Sequence, residues 1–188
     1  MDNLLVNKEK NAWIQWQGRR YQRFAIRTPL IGAQDDLADV VCTYARPHLR
    51  KGDVLFLSEK MVACSQGRAI PVKNIRASLF ARILSRFVQK NPHGIGLAMP
   101  ETMEMALREC GRARILLAAV CGACGKLIGR HGWFYHVAGY RAATIDGPCP
   151  KTIAPYNQCV VLGPKKPQQE AERISQILSY ACFDCGLK

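Results

Sequence analysis

The sequence lacks an apolar run long enough to cross a bilayer. Its longest, ILLAAVCGACG at residues 115–125, is too short and is rich in glycine and alanine. The N-terminal residues, MDNLLVNKEKN, show no basic segment followed by an apolar one, so they do not resemble a secretory signal. We therefore expect a cytoplasmic protein without a membrane partner.

Acidic residues are also scarce, since 14 Asp and Glu stand against 27 Lys and Arg, which gives a formal net charge of +13. Such an excess favours anionic partners: nucleotides, phosphorylated metabolites or RNA. The basic residues are scattered, however, and no run of five occurs. A solvated basic surface is therefore an equally simple reading, and we expect a small anionic ligand rather than nucleic acid.

The nine cysteines indicate thiols in a reducing compartment. Two C-x-x-C pairs, Cys121 with Cys124 and Cys182 with Cys185, could together supply four thiolates to zinc. The pairs lie far apart in the sequence, and the first falls in an apolar segment predicted to be helical. Packed thiols are therefore favoured over a zinc site. No local Cys-His signature supports a cysteine nucleophile at Cys64.

The apolar pattern predicts a mixed α/β domain in which helices cover a sheet. The predicted strands form a hairpin over 11–27 that turns at Gln17-Gly18, followed by strands at 54–57, 68–72, 132–139 and 158–164. The predicted helices cover residues 35–44, 75–89, 100–110, 112–127 and 166–181. We divide the chain into an N-terminal hairpin extension (1–21), an α/β domain (22–181) and a C-terminal tail (182–188) that marks a truncation point.

Two further patterns allow either a structural or a functional interpretation. The aromatic run WFYH (133–136), beside Arg130 and Arg141, could stack RNA bases if it forms a strand. Alternation would place only half of the rings on that face, so a core strand is the simpler reading. Glu101 and Glu104 follow Pro100 in a first helical turn, where acids favour the helix dipole, rather than forming a metal site.

Four segments in order resemble the gamma-glutamyl ligases of the deazaflavin coenzyme F-420. They are TPLIGAQDDLADVV (28–41), GDVLFLSEKMVACSQGRAI (52–70), RHGWFYHVAG (130–139) and VVLGPKKPQQEAERI (160–174). The resemblance covers roughly residues 22–180 and implies the N-terminal part of that family's α/β fold. It also implies GTP- and divalent-metal-dependent joining of glutamate to an acidic phosphorylated metabolite by an amide bond, and a homodimer.

The resemblance also implies where the nucleotide would be bound. The family's first contact corresponds to Thr28, Pro29, Leu30 and Ile31, and its second to Glu59 and Lys60. The family has a lysine just before its next turn, where this chain has Ala63-Cys64. One of the family's nucleotide-site residues is therefore replaced.

The loop HVAGYRAATIDGPCP (136–150) corresponds to the family's metal-binding loop. Aligned without a gap, the family's metal-binding Asp falls on Arg141 and its final Asn falls on Thr144. Arginine repels a divalent cation but can clamp a phosphate or a carboxylate, so we assign Arg141 and Thr144 to anion binding. Asp146 is the candidate metal ligand for Mg²⁺ or Mn²⁺ if the loop is shifted.

The sequence thus predicts a divergent ligase whose catalytic residues are not identified. The alternative is a catalytically inactive descendant of the fold, acting as a basic binding protein for a metabolite or for RNA.

Overall fold

The computed structural model describes residues 4–5, 11–88, 96–130 and 132–184, and it describes side chains within 11–88, 96–130 and 132–179. These residues form two compact units. The first consists of the chain up to Leu57 together with the residues from Lys166 onward, and the second runs from Ser58 to Lys165.

The first unit contains two small antiparallel sheets. Strand β1 (Leu4–Leu5) pairs with β4 (Ala25–Ile26), and β2 (Trp13–Trp16) pairs with β3 (Arg19–Gln22). Between β2 and β3, Gln17 and Gly18 both have positive φ, as a two-residue hairpin turn requires. The hairpin and its turn were predicted and are confirmed.

The first helix of the first unit is α1 (Leu37–Val40). It continues through a π-helical turn (Val41–Ala45) into a 3-10 turn (Arg46–His48). The carboxylate of Asp36 accepts the backbone N–H of Ala38 and caps α1. It also pairs with Arg173 of the long C-terminal helix α8 (Pro167–Asp184). The predicted helices at 35–44 and 166–181 are therefore confirmed.

The second unit begins with α2 (Glu59–Ser65), which leads into β5 (Ala69–Pro71) and a 3-10 turn (Val72–Asn74). Strand β5 pairs with β6 (Cys159–Val161) in antiparallel register, with Ile70 opposite Val160. All three residues of β6 are buried, which explains its continuous apolar sequence.

The rest of the second unit is helical, and its core lies between the helices and β6. Its helices are α3 (Leu79–Phe87), α4 (Pro100–Cys110), α5 (Arg112–Leu127), α6 (Trp133–Ala138) and α7 (Tyr140–Ala143), with 3-10 turns at Gly96–Ala98 and Tyr156–Gln158. Fully buried Leu97, Met103, Ile115 and Val160 form its centre. The predictions for α4 and α5 are confirmed, and α3 begins later than predicted, after Ser78.

Glu104 explains why α3 begins where it does. Its carboxylate accepts the backbone N–H of Ser78 at 3.0 Å and the Ser78 hydroxyl at 2.6 Å, while the same hydroxyl caps Ala81. Arg108, one turn along α4, donates to the other carboxylate oxygen at 3.0 Å. Burial raises the pKa of Glu104, but the hydrogen bonds from Ser78 and Arg108 outweigh it and lower the pKa below its ordinary value.

Two predicted strands are wrong. Residues 54–57 form no strand, and Val54 and Phe56 are exposed. Residues 132–139, predicted as a strand from their aromatic content, form helix α6, which starts at Gly132 in the left-handed conformation (φ 92°). A β-carbon on Gly125 of α5 would lie 3.0 Å from the Trp133 ring, and one on Gly122 would lie 3.1 Å from Phe134 Cβ. Tight helix packing on these glycines therefore overrides the strand propensity of the aromatic residues.

The mixed α/β class is confirmed, with short strands paired in twos in the described part of the chain. The division at residues 21 and 181 stays a prediction. Among the described residues, no helix has the length and apolarity needed to cross a membrane.

Replacing Glu104 with Gln should lower the free energy of unfolding at pH 7 by about 1–3 kcal/mol, because charge-assisted bonds to Ser78 and Arg108 are lost in a buried setting. Since the folded-state pKa of Glu104 is lowered, its contribution is complete above the ordinary value of 4.5 and is lost as pH falls through the folded pKa. Urea titrations at several pH values measure both effects. Glu101→Gln on the same helix is the control, and an equal loss in both variants would contradict the assignment.

Candidate functional site

Two segments far apart in sequence meet through charged and polar side chains in the second unit. The Lys60 ammonium lies 3.1 Å from the Asp146 carboxylate, and both side chains are about half exposed. Beside this pair, the Tyr140 hydroxyl donates to Glu59 at 3.0 Å. Glu59 and Lys60, which are adjacent on α2, thus contact Tyr140 and Asp146 of the 140–146 segment.

Helix α2 is held by apolar side chains in its second half. Val62, Ala63 and Cys64 are buried, and Ala63 and Cys64 pack in an apolar cluster with Cys159 and Val161 of β6. Burial raises the pKa of the Cys64 thiol, so it is a core residue rather than a nucleophile. Glu59 and Lys60 lie about one turn earlier, at the start of α2, and both are exposed.

The segment that carries Tyr140 is positioned by a glycine and an arginine. Gly139, between α6 and α7, has φ 86°, and a β-carbon there would lie 2.7 Å from the Arg114 guanidinium. Arg114 Nε donates to the Val137 carbonyl at 2.8 Å and so closes over this backbone. A residue other than glycine at 139 would both strain the backbone and displace the arginine.

The end of the segment is fixed to the strand β6. Thr144 donates its hydroxyl to the Tyr140 carbonyl at 3.0 Å, which closes the end of α7. Asp146 then forms an isolated antiparallel bridge with Val161, with both backbone hydrogen bonds at 2.9 Å. The carboxylate of Asp146 is therefore carried by an anchored backbone.

Gly163, just after β6, lies next to Thr144 and Glu59 of the site. A β-carbon at this position would lie 2.8 Å from Thr144 Cβ, closer still to its hydroxyl oxygen, and 3.6 Å from Glu59 Oε1. The Gly163 carbonyl accepts from Arg68 Nε at 2.5 Å, and Arg68 Nη2 pairs with Glu109 at 2.7 Å. The glycine thus allows the backbone after β6 to approach Thr144 closely.

The electrostatics of the site combine both signs of charge. Burial, followed by the bond to Glu59, raises the pKa of Tyr140, so its hydroxyl stays protonated and acts as a donor at neutral pH. Arg141, also on α7, is exposed, and its guanidinium forms no hydrogen bond or ion pair with a residue that the structure describes. It is available to a ligand.

Protein side chains alone do not form a metal site in the described part of the chain. No cluster of three or more His, Cys, Asp or Glu side chains that could hold a metal occurs among the described residues. The Asp146 carboxylate is paired with Lys60, and Glu59 accepts from Tyr140. The role of Asp146 as a metal ligand therefore stays a prediction.

The structure brings together four of the residues selected from the sequence: Glu59, Lys60, Thr144 and Asp146. Arg141 lies on the same segment. Thr28, Pro29, Leu30 and Ile31 belong to the first unit, where Leu30 is exposed and Ile31 is buried. Their proposed role in nucleotide binding stays a prediction.

Sequence reasoning missed Tyr140, Arg68 and Gly163. Gly163 lies in the quoted VVLGP motif, where its position next to a buried strand was the available signal. Tyr140 carried no signal beyond its place after Gly139.

The competing patterns have structural explanations or lie partly outside the described residues. Trp133 and Tyr135 lie on helix α6, so the stacking surface expected of a strand is wrong. Glu109 pairs with Arg68, and Glu104 caps α3. Of the zinc candidates, Cys121 and Cys124 lie on α5, whereas Cys185 and the Cys182 side chain lie outside what is described.

The comparison with known families adds a finding that covers most of the chain. The family model for F-420-0:gamma-glutamyl ligase matches residues 25–184. The chain belongs to this family. Membership confirms the resemblance of the four segments, and it indicates a function of the gamma-glutamyl ligase type with a small-molecule substrate. Searches of curated proteins and of solved structures found no significant match to this ligase-family chain.

Replacing Gly163 with Ala should destabilise the protein by about 1–3 kcal/mol, because the new methyl group overlaps the Thr144 side chain. Thermal and urea unfolding measure the loss. Adding Thr144→Gly should recover part of it, since the overlapping atoms are removed, and a double-mutant cycle gives the coupling. Strictly additive effects of the two substitutions would show that the contact is not the cause.

Proposed function

We propose that the chain is a gamma-glutamyl ligase that joins glutamate to an acidic phosphorylated metabolite, with GTP as the activating nucleotide, and that the Lys60–Asp146 cluster binds a zwitterionic amino acid or the reacting anion. The observation that supports this most directly is the approach of Lys60 to Asp146, which joins two segments that both lie within the range matched by the family model. Glutamate carries one ammonium and two carboxylates, so it needs a site of mixed sign.

The cluster offers both signs at adjacent positions. Lys60 and Arg141 can donate to a carboxylate or a phosphate, and charge-assisted bonds of this kind are about twice as strong as neutral ones. Asp146 and Glu59 can accept from an ammonium group. The Tyr140 hydroxyl orients the Glu59 carboxylate through the bond at 3.0 Å. An amino acid can thus replace an internal ion pair without leaving either charge unpaired.

The reaction requires two transfers. The terminal phosphoryl group of GTP passes to the metabolite's carboxylate, which leaves GDP and forms an acyl phosphate. The amine of glutamate then attacks the acyl carbon, and phosphate departs with the electron pair of the broken bond. The ammonium group of glutamate loses two protons on its way to the amide, which keeps one N–H, and Asp146 and Glu59 are the carboxylates of the cluster that can accept a proton.

The alternative is a non-enzymatic protein that uses the same cluster to bind a metabolite or RNA. It is favoured by Arg141, an exposed cation that stands where alignment to the family places a metal-binding acid. Salt separates these cases, because RNA binding weakens steeply as salt is added.

Replacing Lys60 with Gln should weaken the binding of glutamate or of GTP by about tenfold, since one charge-assisted contact is lost and Asp146 is left without its partner. Calorimetric titration of the purified protein measures both ligands. Lys151→Gln, an exposed lysine in the same unit, is the control. Unchanged affinity in Lys60→Gln would place the ligand elsewhere, and Arg141→Ala tests the second cation in the same way.

The activity is tested by incubating the protein with glutamate, GTP and an acidic phosphorylated acceptor, with and without Mn²⁺. Mass spectrometry should show a product heavier than the acceptor by one glutamyl residue, together with GDP. Loss of this product in Asp146→Asn, with folding intact, is the expected result. GTP that neither binds nor is hydrolysed in either condition would leave the non-enzymatic alternative.

A further inference from the structure

Helix α3 turns a line of large apolar side chains outward. Leu79, Ile83 and Phe87 are 75%, 46% and 71% exposed, and their spacing of four residues places them on one side of the helix. The opposite side, with Ala81 and Leu84, is already buried in the core. The outward line is therefore additional to the packing that holds the helix.

Helix α5 carries a second exposed line of the same kind. Leu116, Val120 and Leu127 are 47%, 54% and 87% exposed and fall on one side of the helix, since eleven residues complete about three turns. The two helices meet at their C-terminal ends, where Lys126 Nζ donates to the Phe87 carbonyl at 2.9 Å. We call the two lines together the apolar face. Monomeric proteins rarely expose contiguous apolar side chains over a large area without a partner, so the two lines that meet near Phe87 and Leu127 suggest a binding surface.

The charged residues of α3 and α5 all have one sign. Helices α3 and α5 contain five cations and no acid in their sequences: Arg82, Arg86, Arg112, Arg114 and Lys126. On α3, Arg82 and Arg86 alternate with the exposed apolar residues. Neither guanidinium forms a hydrogen bond or an ion pair with a residue that the structure describes.

A cavity of about 560 Å³ lies beside these arginines. Its described lining includes Arg82, Ser85 and Arg86 from α3, and Pro100 and Glu101 from the start of α4. Ser85 donates to the Arg82 carbonyl, so it is already satisfied. The two guanidinium groups, unpaired among the described residues, make this recess suitable for an anionic group such as a lipid phosphate, and Glu101 is the one acid in its described lining.

These observations point to one occupant. A second copy of the same face would bring arginine and lysine against arginine and lysine, which is repulsive. An anionic bilayer matches both features: it takes up exposed Leu and Phe side chains at the depth of its headgroups, and its phosphates pair with flanking basic residues. Arginine can extend its side chain toward the phosphates while the apolar neighbours insert.

We propose that the apolar face docks peripherally on an anionic phospholipid surface, with Phe87 and Leu127 inserted and with Arg82 and Arg86 bound to lipid phosphate. This revises the expectation of no membrane partner, because surface association requires no spanning helix. The inference does not depend on the ligase activity. Vesicle binding can therefore succeed or fail independently of ligation.

The test is co-sedimentation of the full chain with vesicles of phosphatidylcholine containing roughly one third phosphatidylglycerol, compared with pure phosphatidylcholine. Binding should occur on the anionic vesicles and decrease as salt is added. Phe87→Ser should reduce the partition coefficient about tenfold, as should the double variant Arg82→Gln/Arg86→Gln.

Matched controls exist in the first unit of the chain. Phe56 is 72% exposed, against 71% for Phe87, so Phe56→Ser removes an equally exposed ring from the other unit. Arg19→Gln/Arg50→Gln makes the same change in net charge. Both controls should retain vesicle binding.

Three results would overturn the proposal. They are equal binding to neutral and anionic vesicles, equal loss in the controls, and no vesicle binding at all. Light scattering tests the other candidate occupant, a second copy of the chain. A dimer that Phe87→Ser converts to a monomer, without any effect on vesicles, would assign the face to a second copy of the chain instead.

Discussion

The buried guanidinium of Arg68 holds together the parts of the second unit that carry the candidate site. Only 8% of the residue is exposed, and it binds the Gly163 carbonyl and the Glu109 carboxylate at once. A buried cation is tolerated only when it is paired and hydrogen-bonded, so each partner depends on the others. Three segments thus converge on one side chain: the turn after α2, the end of α4, and the chain that leaves β6.

The side-chain amide of Gln66 provides a further link in the same region. Gln66 accepts the Lys165 backbone N–H at 2.7 Å and donates to its carbonyl at 3.0 Å, and so extends the pairing of β5 with β6 by a side chain. Helix α2, which bears Lys60, and helix α7, which precedes Asp146, are short, and isolated helices of such length are unstable in water. Tertiary contacts, rather than helix propensity, therefore set the distance between Lys60 and Asp146.

Sequence patterns predicted the elements whose signals are local. The hairpin turn at Gln17-Gly18 and the helix that starts at Pro100 depend on neighbouring residues alone, and both are present. Helix α6 was mistaken for a strand because the contacts that favour the helix are tertiary: its aromatic residues pack on Gly122 and Gly125 of the preceding helix, α5. For the site, family-like motifs selected Lys60 and Asp146, but the role of Arg68 could not be predicted, since its partners lie 41 and 95 residues away.

The bridge between Asp146 and Val161 makes the two charges of the site unequal in mobility. The aspartate is short and its backbone is tied to a buried strand, so its carboxylate has little freedom to move. Lys60 has a long side chain on an exposed surface and loses only one ion pair when it turns away. A ligand would therefore meet a fixed carboxylate at Asp146 and a mobile ammonium group at Lys60. The ammonium group of the ligand must fit the position of Asp146, whereas its anionic end can vary in length, since the Lys60 side chain can follow it.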